Sequence, residues 1–131
     1  MDFSFTEEQE LLAENLVEFM DREYPESLIK ECDEQKIFPV EANKKFYEAG
    51  FGAIGVPEEL GGVPADMVTM CLVTSIVYRY SWAGCTYSPL SIMNAADKAS
   101  PEIRTEMLEG LMGGEKRHSF GNTEPGAGSD A

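Results

Sequence analysis

Up to Lys116 the apolar residues of this chain recur every three to four positions and nowhere alternate as they would along a half-buried strand. That spacing makes the first part of the chain all-α. Leu12, Leu16, Phe19 and Met20 draw one stripe along a first helix. Thr6 with Gln9 three residues later has the form of a capping box, and Phe5 stands where it could staple against the Glu10 stem or Leu11. Tyr24-Pro25 ends that helix, because a residue before proline is pushed out of the helical region. A short helix over about 26–33 follows, then a break at Phe38-Pro39, then a helix over about 40–49 with Phe46 inward and Gly50 as its stop.

Residues 51–64 carry glycines at 52, 55, 61 and 62 and prolines at 57 and 64, which predicts a long turn-rich connection. The most apolar helix is expected from Ala65 to about Trp82. Met67, Met70, Cys71, Val73, Thr74, Val77 and Tyr78 lie around much of its circumference, so it is expected in the middle of a bundle. Another helix is expected over about 88–99. Ser100-Pro101-Glu102 then reads as N-cap, first-turn proline and early acid of a last helix bearing Met107, Leu108, Leu111 and Met112, closed by Gly113-Gly114. The methionines at 67, 70, 107 and 112 are expected to fill the core.

A chain of 131 residues with 43% hydrophobic content can bury one core. Its net charge of -14, from 24 acidic and 10 basic residues spread along the chain, repels phosphate backbones and anionic lipid, which argues against nucleic acid and membrane surfaces as partners. Cys32, Cys71 and Cys85 show no CxxC spacing, which argues against a disulfide framework or a zinc site and fits a reducing cytoplasm. The start has no basic and apolar regions of a secretory signal, and the stretch 67–77 is too short to span a bilayer. With His118 the sole histidine, no metal site is expected.

After Gly114 the character changes to a polar stretch and then a small-residue loop, Gly121 to Asp130. A chain stopping there, just after a packed helix, reads as one whose next domain lies downstream. Pro125 stiffens the entry to the loop, Gly126 and Gly128 let the main chain take unusual angles and approach a ligand closely, and Thr123 and Ser129 add hydroxyls. Such a loop suits a flat polar ring or a pyrophosphate, and it equally suits an ordinary connection. It is neither a GxxxxGK[ST] loop nor a GxGxxG turn.

Thr123-Glu124-Pro125-Gly126-Ala127-Gly128-Ser129-Asp130 resembles the acyl-CoA dehydrogenase signature, T-E-P-x-A-G-S-D. Phe5-Thr6-Glu7-Glu8-Gln9, Glu48-Ala49-Gly50-Phe51, Gly55-Val56-Pro57-Glu58-Glu59-Leu60-Gly61-Gly62 and the pair Pro101-Glu102 with Gly114-Glu115 are similar to other stretches of that family, in the same order. Glu31-Cys32-Asp33 and Pro39 are similar to its crotonobetainyl-CoA reductase-like branch.

The resemblance implies a three-part enzyme: a helical N-terminal domain, a middle β-domain and a C-terminal four-helix domain, with non-covalent FAD between them. Such enzymes are usually homotetramers and pass electrons to an electron-transfer flavoprotein or a similar partner. Residues 1–115 would be the N-terminal helical bundle. Residues 116–131 would be the linker and flavin-contacting loop at the start of the β-domain, most of which is missing. The implied chemistry is α,β-dehydrogenation of an acyl-CoA thioester or the reverse enoyl-CoA reduction. Phe120, Asn122 and Thr123 would lie against the flavin, Thr123 hydrogen-bonding its ring. Gly128 and Ser129 would follow the cofactor, and Ser129 would also touch the acyl-CoA. Glu124 and Asp130 would brace the loop.

The family usually has an aliphatic residue where this chain has Asn122, whose side chain either bonds the flavin or points outward. The family's catalytic glutamate lies in the C-terminal part, so no residue here takes that role, and residues 1–131 are expected to be inactive alone. Glu7, Glu8, Glu58 and Glu59 read as surface residues.

Lys116-Arg117-His118 is either a solvated hinge or a contact for a cofactor phosphate. Trp82, Tyr78, Tyr80 and Tyr87 could line an acyl pocket or pack as ordinary core. Two other functions remain open: a flavin-dependent acyl-CoA oxidase or monooxygenase of the same fold, and a free-standing acidic helical module that binds a partner protein.

Overall fold

The structure, a computed structural model, describes residues 4–80, 87–117 and 124–128. Thr6 and Gln9 close the expected capping box: the Gln9 amide donates to Thr6 Oγ1 at 3.2 Å, and the Thr6 amide donates to Gln9 Oε1 at 3.1 Å. Two of the orphan amides at a helix start are thereby satisfied. Helix α1, Glu7–Glu23, grows from that box and stops at Tyr24, before Pro25. Its Leu16, Phe19 and Met20 are buried and Leu12 packs against the same core. Phe5 and Leu11 are 46% and 59% exposed, so the staple is not in evidence.

Helix α2, Glu26–Gln35, runs two residues further than expected and ends with Lys36 in the left-handed conformation. Helix α3 spans Val40–Glu48 and stops at Gly50, whose φ of 85° is left-handed. Phe46 is fully buried at the centre of an aromatic cluster, with ring centroids at 6.1 Å from Phe19, 6.0 Å from Phe51, 5.9 Å from Tyr47 and 6.4 Å from Tyr87. Edge-on and tilted contacts at these separations are the favoured arrangements of aromatic rings. At the surface between α1 and α3, Glu23 accepts from Lys45 at 2.7 Å and from Arg22 at 2.8 Å. The Lys45 bond first, then the Arg22 bond, hold its carboxyl below the usual glutamate range.

Residues 51–64 are irregular, as expected, but they do not lie on the surface: Gly52 to Val56 are all buried. Burying such a segment requires its backbone groups to be paired. The Gly55 amide donates to the Val63 carbonyl at 2.7 Å, Val63 to Ala53 at 2.9 Å, and Gly62 to Pro57 at 3.1 Å, around two short 3₁₀ turns. The segment therefore serves as a floor for two cores. Ile54 joins the core of α1 and α3, while Val56 joins Ile92 and Leu111 in a second cluster.

Helix α4, Met67–Tyr80, lies beside α1 and parallel to it, because it is tied to α1 at both ends. Gln9 Nε2 donates to Thr69 Oγ1 at 3.0 Å, and the Tyr80 hydroxyl donates to Asp21 Oδ1 at 2.7 Å. Asp66 accepts from the Thr69 amide at 2.7 Å and so caps the helix start. The expectation that α4 sits in the middle of a bundle is not met. Only Val73 and Val77 are buried, whereas Met67 is 59% and Val68 54% exposed. The reason is physical: an apolar circumference tells that a helix can be covered on all sides, not that this stretch of chain covers it.

Helices α5, Pro89–Lys98, and α6, Pro101–Met112, pack together over the second core, where Met107, Leu108 and Met112 lie as expected. Ser100 takes the N-cap backbone conformation but makes no side-chain cap hydrogen bond. The described residues form six α-helices and contain no strand, only two isolated bridges. The architecture is all-α. No described helix is long and apolar enough to cross a membrane.

Candidate cofactor-contacting loop and its anchorage

The chain leaves α6 through a tightly built exit. Glycine at 113 and 114 lets the helix close: the Gly114 amide donates to Leu111 at 3.1 Å, and the amides of Glu115 and Lys116 both donate to the Gly110 carbonyl, at 3.0 and 2.8 Å. Gly114 has φ of 70° and its backbone is pressed against α3, so that a Cβ there would stand 2.8 Å from Lys44 Cα and 2.9 Å from the Asn43 carbonyl oxygen. Only glycine fits both constraints.

Asn43 answers from the other side. Its Nδ2 donates to the Gly114 carbonyl at 2.9 Å, and among the described residues it is the one polar side chain of the buried set, at 0% exposure. Lys44 Nζ lies 3.3 Å from Glu115, Lys116 reaches back to Glu106 at 2.6 Å, and the Arg117 guanidinium sits 4.1 Å from the centre of the Phe38 ring. Lys116 and Arg117, two members of the basic trio, are thus engaged with neighbours of the same chain. His118 lies outside the described residues.

Further on, Glu124 to Ala127 form a closed turn: the Glu124 amide donates to the Ala127 carbonyl at 2.9 Å and Ala127 returns the bond at 3.2 Å. Pro125 and Gly126 make its exposed tip. Neither Gly126 nor Gly128 has positive φ, so the unusual main-chain angles expected of them are not used. Their small size is used differently. A Cβ at either position would meet no atom within 4 Å, so the main chain there is bare on that side.

An apolar hollow of about 270 Å³ opens between α4 and the start of α5, lined by Met67, Met70, Cys71, Thr74, Tyr87 and Leu90 among others. Met67 and Met70 therefore line an open groove instead of filling the core. Among the described residues, Tyr78, Tyr80 and Tyr87 do not converge on one pocket. Tyr87 is buried and donates to the Ile54 carbonyl at 3.0 Å, Tyr80 bonds Asp21, and Tyr78 donates to the Tyr87 carbonyl at 3.1 Å. Burial first, and then neighbouring Tyr47 and Cys71, push the Tyr87 hydroxyl up to about 12, so it is a neutral hydrogen-bond donor at any ordinary pH. Cys32 is buried and its thiol is pushed up by that burial, whereas Cys71 is exposed.

Residues 6–115 match the N-terminal domain of acyl-CoA dehydrogenases. The chain belongs to the acyl-CoA dehydrogenase family. It is 33% identical over 132 residues to a probable acyl-CoA dehydrogenase, YdiO, of Escherichia coli (strain K12), covering 99% of this chain and 34% of that protein. It is 34% identical over 131 residues to a 3-(aryl)acrylate reductase of Clostridium sporogenes (strain ATCC 15579), covering 97% of this chain and 34% of that protein. It is 35% identical over 136 residues to an acryloyl-CoA reductase (NADH) of Anaerotignum propionicum, covering all of this chain and 34% of that protein. The chain spans about a third of the length of these curated relatives. No solved structure matches it.

Of the residues that this acyl-CoA dehydrogenase family member was expected to place at the cofactor, only Gly128 is described, exposed just after the closed turn. Phe120, Asn122, Thr123 and Ser129 lie outside the described residues, as do Trp82 and Cys85. Glu7, Glu8, Glu58 and Glu59 are exposed. Sequence reasoning passed over Asn43 altogether. One signal was available: an asparagine, a weak helix former, in a helix that otherwise supplies the aromatic core.

Proposed function

We propose that this chain is the N-terminal helical part of a longer flavoenzyme that forms or reduces the Cα–Cβ double bond of acyl-CoA thioesters. Residues 1–115 are the helical domain, and 116–131 are the linker and cofactor-contacting loop that open a middle β-domain. The observation that carries this reading is the Thr123 to Asp130 signature, which follows a family domain whose match ends at Glu115 and has a closed exposed turn at its centre. The reductases and the dehydrogenase among its relatives support chemistry on the same bond in either direction.

The residues present suit FAD. An isoalloxazine is flat, and it needs main chain without side chains in the way; a Cβ at Gly126 or Gly128 would meet no atom within 4 Å, so neither position crowds a ring laid against it. In this reading Phe120, Asn122 and Thr123 lie against the ring, Gly128 and Ser129 follow the cofactor, and Ser129 also contacts the thioester arm. Bound FAD supplies the hydride acceptor. The catalytic base belongs to the polypeptide beyond this chain, so residues 1–131 alone are inactive. The complete enzyme is a cytoplasmic homotetramer served by an electron-transfer flavoprotein or similar redox partner.

The full-length polypeptide is expected to purify with flavin, and its absorbance to bleach anaerobically with an acyl-CoA or, once reduced, to return with an enoyl-CoA. Peroxide release on aerobic turnover would instead assign an oxidase. A colourless protein that takes up no added FAD would overturn the reading.

A further inference from the structure

The buried carboxamide of Asn43 joins α3 to the backbone at the exit of α6. It sits in the second turn of α3, completely out of water, and its Nδ2 reaches the Gly114 carbonyl 71 positions along the chain. A polar side chain out of water loses its hydration, so the hydrogen bonds it makes inside the protein have defined geometry. Here Nδ2 holds the backbone two residues past the end of α6. Two further contacts fasten the same strap to the same helix start: Lys44 to Glu115 at 3.3 Å, and Arg117 over Phe38 at 4.1 Å. The lysine pair is exposed enough to add little by itself. The buried amide is the directional element of the three.

We propose that Asn43 is a positioning residue for the cofactor loop: by holding the Gly114 carbonyl it fixes the point and direction at which residues 114–117 leave the helical body, ahead of the Glu124 to Gly128 turn. This rests on the flavoenzyme reading above, but the bond can be tested apart from it. A loop that must meet a flat ring over several atoms is sensitive to the position of its root, since small misplacements lose contacts together.

The test uses the full-length polypeptide with Asn43→Leu, which keeps the volume and removes the donor, and Asn43→Asp, which keeps the shape and sets an acceptor against the carbonyl. Both are expected to weaken FAD binding, Asn43→Leu by roughly tenfold, about what one buried hydrogen bond supports. Both should also alter the visible circular dichroism of the flavin that remains bound, which a loss of global stability alone would not do. Amide exchange at residues 115–117 should quicken in both.

Unchanged FAD affinity, flavin dichroism and exchange in these variants would overturn the proposal. If the wild-type polypeptide takes up no FAD, the flavoenzyme reading fails, and exchange at 115–117 alone then decides whether Asn43 holds the strap. Should both Asn43 variants fail to fold, Arg117→Leu changes an exposed side chain and loosens the strap at its far end. Weaker FAD binding would then support positioning by the strap, and unchanged binding would overturn it.

Discussion

Replacing Phe46 with alanine is expected to destabilise the helical domain by about 3–5 kcal/mol, the range for removing a fully buried aromatic ring. Phe46 has no exposed surface and touches rings from α1, from the segment after α3 and from Tyr87 ahead of α5, so no single neighbour can shift to close the space it leaves. Against a typical total of roughly 5–15 kcal/mol, such a loss removes a large share of the stability. Urea unfolding followed by far-ultraviolet circular dichroism measures it. Leu11→Ala, at a position 59% exposed, serves as the comparison and should change stability by no more than about 0.5 kcal/mol. A Phe46→Ala loss below about 1 kcal/mol would mean that the aromatic cluster is not the core of the domain.

Gly114→Ala is the second large effect expected. A left-handed φ costs an alanine roughly 1–2 kcal/mol. The new Cβ would also stand 2.8 Å from Lys44 Cα and 2.9 Å from the Asn43 carbonyl oxygen, both of them backbone atoms of a helix that cannot yield as a side chain can. Overpacking of this kind adds about 1–3 kcal/mol. Gly61→Ala separates the two contributions, because Gly61 has φ of 82° with nothing within 4 Å of its would-be Cβ. The Gly114 variant should therefore be clearly less stable than the Gly61 variant in parallel urea unfolding. Equal losses would show that backbone strain alone matters and that the α6 exit is not pressed against α3.

Local chemistry made much of this fold readable in advance. The Thr6–Gln9 box, the Tyr24-Pro25 stop, Gly50 and the Pro101 start each act within one turn of the residue concerned, and each lies where the spacing placed it. What escaped prediction depends on partners far along the chain. The burial of Gly52 to Val56 relies on Val63 pairing with the backbone of Ala53 and Gly55, which glycine and proline content cannot announce. The exposed flank of α4 carries the same residues that a covered one would. Asn43 reads as an ordinary polar helix residue until Gly114 arrives beside it. At the candidate site, the signature pointed to a ligand-facing loop, but it did not tell how the loop is rooted. The glycines permit unusual main-chain angles, and the turn is closed by paired Glu124 and Ala127 without a positive φ at Gly126 or Gly128.

The account stands or falls on where the Glu124 to Gly128 turn lies relative to a bound flavin. A crystal structure of the full-length polypeptide with FAD measures this directly. The expected result is the turn and its flanking residues packed along the cofactor, with the bare side of Gly126 and Gly128 toward it. A flavin seated elsewhere, with that turn facing solvent, would contradict the account.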